Sequence, residues 1–245
     1  MSEIKVQEKE VVTPGEVLAE GIDFIPSQGT YRQGDNLMAC RLGLVSIEGK
    51  VLKIIPLSGK YLPKRNDVII GKIVEILISG WRMETNCAYP AMLSMKEATS
   101  EYIARGADLS KFFDIDDYIV TKIVNVTSQK LVDVTMRGPG LRKLVGGRVI
   151  MVNTNKVPRI IGKQGTMISM VKQTTNCRII VGQNGLIWVS GDDPKNELIA
   201  VQVIKKIEEE SHLTGLTERI KHLLEEKTGN KVTETKGDQN QLQET

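Results

Sequence analysis

Val157-Pro158-Arg159-Ile160-Ile161-Gly162-Lys163-Gln164-Gly165-Thr166-Met167-Ile168 is an apolar run broken by two glycines, and its reading decides the fold. Glycine has no Cβ, so the chain can turn sharply there and let another group approach the main chain. The segments on either side both read as helix. The four central residues are then a loop that opens a helix, where free N–H groups and the positive helix end favour an anion. Lys163 adds a mobile cation inside the loop. A tight helix–helix connection uses paired glycines too, so the flanks must separate the two readings.

The flanks have a definite order. Arg148-Val149-Ile150-Met151-Val152 reads as a strand, and Lys156 to Ile161 as one or two helical turns. After the loop, Thr166 to Thr175 carries Met167, Ile168, Met170 and Val171 at helical spacing. Cys177 to Val181 reads as a strand, Gln183-Asn184-Gly185 as a hairpin turn, and Leu186 to Ser190 as the return strand. Asp192-Asp193-Pro194 caps a long helix with apolar positions Leu198, Val201, Ile204 and Ile207, widened by Ala200 and Val203. A further helix fits Leu213 to Lys227. The result is β-α-loop-α-β-β-α with the glycine loop between the first two helices.

Charge follows the same segment. The 245 residues carry a net +3, from 33 basic and 30 acidic residues. Between Val145 and Gly191, however, stand Arg148, Lys156, Arg159, Lys163, Lys172 and Arg178 with no Asp or Glu, a local charge of +6. Such clustering is the footprint of a phosphate-binding surface, whereas even basicity serves solubility.

Upstream the pattern is β. Residues 1 to about 10 are charged and are expected to fray. Short apolar runs then alternate with turn residues up to the hairpin Leu44–Ile47 and Val51–Ile55 around Glu48-Gly49-Lys50, which predicts a small β module. Pro63-Lys64-Arg65-Asn66-Asp67 marks a linker. Strand-like runs at Val68–Ile78, Gly80–Met83, Pro90–Ser94, Tyr118–Val126 and Leu131–Met136, with one long polar connection from Lys96 to Ser110, predict a small closed barrel. The last residues, from Thr228 to Thr245, contain almost nothing apolar and are expected to be disordered.

These residues carry a resemblance. The order around Ile161-Gly162-Lys163-Gln164-Gly165-Thr166-Met167-Ile168 resembles a type I KH domain, whose signature is Ile-Gly-x-x-Gly-x-x-Ile. Residues 67 to 137 resemble an S1 domain through Gly71-Lys72-Ile73-Val74, Gly80-Trp81-Arg82-Met83 and Asp116-Asp117-Tyr118-Ile119-Val120. Leu93-Ser94 stands where many S1 domains have a histidine, and the second surface aromatic is absent, so phosphate contact is a better expectation than base stacking. With Val12-Thr13-Pro14-Gly15-Glu16 and the junction from Gly59 to Gly71, the whole chain resembles the S1/KH RNA-binding cap subunit of the archaeal RNA exosome, an Rrp-type component.

The fold expected is therefore multidomain, mainly β then α/β: a small N-terminal β domain over 1–64, an S1 (OB-fold) barrel over 65–144, a type I KH domain with C-terminal helices over 145–227, and a tail over 228–245. The resemblance implies a non-catalytic subunit, three copies seated on a hexameric ring of RNase PH-like subunits, feeding single-stranded RNA 3′ ends to phosphorolytic sites. Gly162, Lys163, Gln164 and Gly165 are the RNA-binding loop. Arg159 and Lys156 flank it as phosphate contacts or as ordinary surface charge. Trp81 at the barrel rim is core or RNA contact; Arg82, Lys72 and Lys122 line the pore by barrel position. No cofactor or metal is implied: Asp116-Asp117 reads as a turn, Asp192-Asp193 as a helix cap, and His212 and His222 have no nucleophile beside them.

Cys40, Cys87 and Cys177 are odd in number and form no C-x-x-C pair, which reads as reduced thiols of a cytoplasmic, soluble protein without a membrane segment. Two other classes remain. A NusA-like transcription or translation factor combines S1 with two KH domains, and a structural adaptor would bind its ring partner tightly but RNA weakly.

Overall fold

The computed structural model describes residues 3–57, 59–101, 103–104, 106–213 and 215–228, so the expected tail beyond Thr228 lies outside the described residues. The chain divides into two compact units, Met1–Gly59 and Lys60–Thr245.

The first unit is two four-stranded sheets. One has the order β1-β3-β6-β5, from Glu3–Ile4 (β1), Val17–Glu20 (β3), Thr30–Gln33 (β5) and Asn36–Ala39 (β6). The other has the order β2-β7-β8-β4, from Val11–Val12 (β2), Ile25–Pro26 (β4), Gly43–Glu48 (β7) and Val51–Pro56 (β8). Val12, Leu18, Leu37, Val45, Leu52 and Ile54 fill the core. The expected fraying of the first ten residues is overturned for those described: β1 pairs with β3, and Val6 is buried. Charge in the sequence hid this, because β1 needs only main-chain groups to join an edge. The outer row Val11–Leu44–Ile55 runs across β2, β7 and β8, with Val11 and Ile55 more than half exposed at 55% and 51%.

The second unit opens with Tyr61, whose buried hydroxyl donates to Asp67 at 2.7 Å and pins the entry segment to the next core. Strands Val68–Leu77 (β9), Gly80–Glu84 (β10), Ala91–Ser94 (β11), Tyr118–Val126 (β12) and Val132–Thr135 (β13) then close a five-stranded barrel. Closure comes from β11 pairing parallel to β13 and β13 pairing antiparallel to β12. Lys143–Leu144 (β14) pairs antiparallel with the start of β12. The long polar connection holds one helical turn, Met95–Ala98 (α1), and a 3₁₀ turn at Leu109–Lys111.

A three-stranded sheet follows, Arg148–Met151 (β15), Arg178–Val181 (β16) and Leu186–Ser190 (β17), in the order β15-β17-β16. Helices Val157–Ile161 (α2), Thr166–Thr175 (α3), Pro194–Glu209 (α4) and Leu216–Thr228 (α5) share one core with its inner face, through Val157, Ile160, Val171, Ile179, Val189, Ile204 and Leu224. Asp193 caps α4 by accepting from the Lys195 N–H at 2.9 Å, with Pro194 in the first turn, as the sequence indicates. The buried stripe of α4 differs from the expected one: Ala200, Val203, Ile204 and Ile207 are buried, Val201 sits on the flank, and Leu198 is exposed. Ala200, Val203, Ile204 and Ile207 form the i, i+3, i+4, i+7 series that packs into the core, and Glu197, one turn earlier, bonds Arg148 and the Gly191 N–H. Thr228, expected in the tail, is the last residue of α5.

Candidate nucleic-acid interface

The loop between α2 and α3 is built on three residues with positive φ. Gly162 has φ 77° and ψ 175°; a Cβ there would fall 2.7 Å from the Met167 Cβ and 2.8 Å from its main-chain nitrogen, so only glycine fits. Gln164 and Gly165 follow at φ 53° and 76°. The Gly165 N–H returns to the Gly162 carbonyl at 3.2 Å, and the Thr166 hydroxyl donates to the Lys163 carbonyl at 2.9 Å. The side chains of Lys163 and Gln164 are exposed, and among the described residues neither has a side-chain hydrogen bond or ion pair. These donors stand at the start of α3, ten residues long, where the helix dipole adds positive potential.

The +6 segment is partly neutralised in space, by carboxylates and carbonyls that the linear count does not see. Arg148 pairs with Glu197 of α4 at 3.3 Å. Lys156 donates to the Glu208 carbonyl at 3.0 Å, and Arg159 to the Leu213 carbonyl at 3.3 Å. Lys163, Lys172 and Arg178 have no ion pair or side-chain hydrogen bond among the described residues. Arg159 is exposed and keeps most of its guanidinium donors for a second acceptor, whereas Lys156 is half-buried and committed.

On the barrel the expected residues do not gather into one basic patch. Trp81 is fully buried: its indole donates to the Phe113 carbonyl at 2.9 Å and its ring meets Phe113 edge-on, centroids 5.2 Å apart. Stacking on a base requires an exposed face, so the Trp81 contact expected from its rim position is withdrawn; it is the centre of the barrel core. Lys72 is paired with Asp116 at 2.6 Å, which raises its pKa, and Arg82 with Glu75 at 2.5 Å. Lys122 lies half-buried on β12 opposite Thr135 and Val68. Asp117 accepts the Asp114 N–H at 2.7 Å, and Asp116 has φ 73°, the turn geometry expected for that acidic pair.

One assembly went unread in the sequence. Gly182-Gln183-Asn184-Gly185 has the same glycine spacing as the first loop, yet it joins two strands and docks into the barrel. Strand β10 pairs with β9 only as far as Glu84 opposite Lys72, leaving Ile70 without that neighbour. The Asn184 carboxamide takes its place: its NH₂ donates to the Ile70 carbonyl at 2.7 Å and the Thr85 carbonyl at 2.8 Å, and its oxygen accepts the Ile70 N–H at 3.3 Å. The Asn86 side chain donates to the Asn184 carbonyl at 2.9 Å, and the Gln183 N–H to the Val68 carbonyl at 2.9 Å. Gly182 is required by close approach, since a Cβ would lie 2.9 Å from the Ile70 nitrogen. Ile70, Val120, Leu144, Leu186 and Trp188 form an apolar seam around this contact. The barrel and the sheet are thus one body. The clue was the asparagine between glycines, which a turn alone does not need.

A five-stranded OB-type barrel joined to a β-α-α-β-β-α sheet with a G-x-x-G loop defines the S1/KH class of protein. Family models agree in part: one described as KH domain matches residues 147–195, and one described as exosome complex exonuclease RRP4 N-terminal region matches residues 11–48. The chain is 43% identical over 227 residues to exosome complex component Rrp4 of Pyrococcus abyssi, covering 91% of this chain and 85% of the relative. It is 41% identical over 224 residues to the component of the same name from Methanothermobacter thermautotrophicus, covering 91% and 70%. A crystal structure of a protein described as an exosome complex RNA-binding protein superposes with a TM-score of 0.64 at 33% identity, over 69% of this chain and 97% of that one. The chain belongs to the Rrp4 family of exosome complex components.

Proposed function

We propose that this protein is a non-catalytic RNA-binding subunit of an archaeal-type exosome, holding single-stranded RNA and passing 3′ ends to a ring-shaped exoribonuclease. The observation that carries the reading is the Gly162–Gly165 loop, which offers two exposed side chains and a helix N-terminus at one point. Arg159 adds a cation beside it. These donors suit the RNA backbone, which any sequence presents, so binding is expected to be broad and strongly salt-dependent.

The barrel contributes through charge. Lys72 and Arg82 sit in solvent-exposed ion pairs, which are weak enough for a phosphate to displace their carboxylates, and Lys122 needs no displacement. The exposed Val11–Leu44–Ile55 row gives the N-terminal unit an apolar face suited to a ring of RNase PH-like subunits, on which three copies sit. The compartment is the cytoplasm, and no helix among the described residues is long and apolar enough to cross a membrane.

The test replaces Lys163 and Gln164 with Asp and titrates single-stranded RNA at low salt. The expected result is at least a tenfold loss of affinity with unchanged thermal stability. Unchanged affinity in the folded variant removes the loop from the interface. Purification from native cells checks the assembly: co-elution with a hexameric nuclease ring is expected, and elution as a free subunit counts against it.

A further inference from the structure

At the far end of α3 from the glycine loop, a cleft of about 260 Å³ opens between the α3–β16 connection and the end of β17. Lys172 and Arg178 line it, with Asn176, Ser190 and Asp192. Among the described residues none of these five side chains has a hydrogen bond or ion pair. Four are donors and one is a carboxylate. Lys172 is half-buried in the cleft, and burial lowers its pKa. Two other cations of this domain are matched: Arg148 has Glu197, and Lys156 has the Glu208 carbonyl. Two cations, an amide and a hydroxyl left open around one concavity are complementary to a tetrahedral oxyanion.

We propose that this cleft is a second phosphate subsite for the same RNA strand, with Lys172 and Arg178 as its cations and Asn176 and Ser190 as neutral donors. The inference rests on the RNA-binding reading of the Gly162–Gly165 loop. Helix α3 separates the two sites by about 15 Å, ten residues at 1.5 Å each. Strand β16 lies on the edge of the sheet and begins at Arg178, so the cleft sits at the start of that open edge. A strand held at the loop that continues along α3 reaches it. Asp192 opposes a phosphate, which limits the subsite's strength and gives the proposal a signature of its own: removing that carboxylate strengthens binding.

The experiment titrates a labelled RNA of about twelve nucleotides against four forms of the full chain, at several salt concentrations and with thermal melts as folding controls. The forms are the natural sequence, the loop variant with Lys163→Asp and Gln164→Asp, the cleft variant with Lys172→Gln and Arg178→Gln, and Asp192→Asn. The cleft variant is expected to bind three- to tenfold more weakly, with a log–log salt slope shallower by about 0.7, as when one phosphate of a single strand is no longer neutralised. Asp192→Asn is expected to bind more tightly. A cleft variant with natural affinity and slope, beside a weakened loop variant, overturns the subsite and leaves the loop reading standing. An unaffected loop variant overturns the loop reading instead. Inorganic phosphate at fixed ionic strength provides the last arm: a thermal shift that the cleft variant lacks, without an effect of that variant on RNA, makes this a free-anion site and overturns the RNA assignment.

Discussion

Replacing Asn184 with Ala is expected to uncouple the barrel from the sheet. The substitution removes three hydrogen bonds at 2.7, 2.8 and 3.3 Å and strands three buried main-chain groups, the Ile70 N–H and carbonyl and the Thr85 carbonyl. An unsatisfied buried group costs about 1–3 kcal/mol, and the longest bond contributes least, so the loss is about 3–5 kcal/mol. That lies in the upper tail for single substitutions and belongs to a named cause, a broken buried network. Asn86→Ala, which removes one donor from the Asn184 carbonyl, is the control and should cost about 1 kcal/mol. Native-state hydrogen exchange at the Ile70 amide is the assay, because it reads this contact without requiring the whole chain to unfold in one step. Its protection should fall by roughly two to three orders of magnitude, at about 1.4 kcal/mol per tenfold. Protection within a factor of ten of the natural protein, or a loss equal to that of Asn86→Ala, refutes the argument that the carboxamide substitutes for a missing strand.

Gly162→Ala should destabilise by about 2–4 kcal/mol through its clash with Met167, against about 1–2 kcal/mol for Gly165→Ala, where space is open and only the left-handed backbone is strained; urea unfolding ranks them. Trp81→Phe, which loses the bond to Phe113 and leaves a void, should cost about 2–4 kcal/mol and leave RNA affinity unchanged; a drop in affinity at constant stability would restore Trp81 to the interface. Burial and the neighbouring Asp67 push the Tyr61 hydroxyl well above the ordinary tyrosine range. Its folded pKa is raised, so its contribution to stability is present below about pH 10 and is lost as pH rises further. Absorbance titration should show Tyr61 ionising only with alkaline unfolding, and Tyr61→Phe should remove that step.

Local pattern made most of the fold legible. The β-α-α-β-β-α frame could be read because helical and strand periods change at glycines, and because Asp193-Pro194 marks a helix start by side-chain chemistry alone. What stayed hidden depends on partners distant in sequence. Which face of α4 is buried depends on the sheet and helices packed against it, and the +6 segment is diminished by Glu197 of the same helix. Trp81 follows a glycine in either reading, and only barrel closure shows which way its ring points. The loop donors, by contrast, were visible because everything that shapes them lies within a dozen residues.

The contact between Ile70 and Asn184 spans 114 residues of chain. At about 5–20 residues per second, a ribosome completes the barrel about 2–10 seconds before it delivers the asparagine that covers Ile70. Throughout that interval the nascent barrel carries an open strand edge beside the apolar residues Ile70 and Val120, a surface able to recruit a strand from another chain. The slow passage in the birth of this protein is therefore a matter of waiting, and a fragment that stops after the barrel inherits that exposed edge permanently.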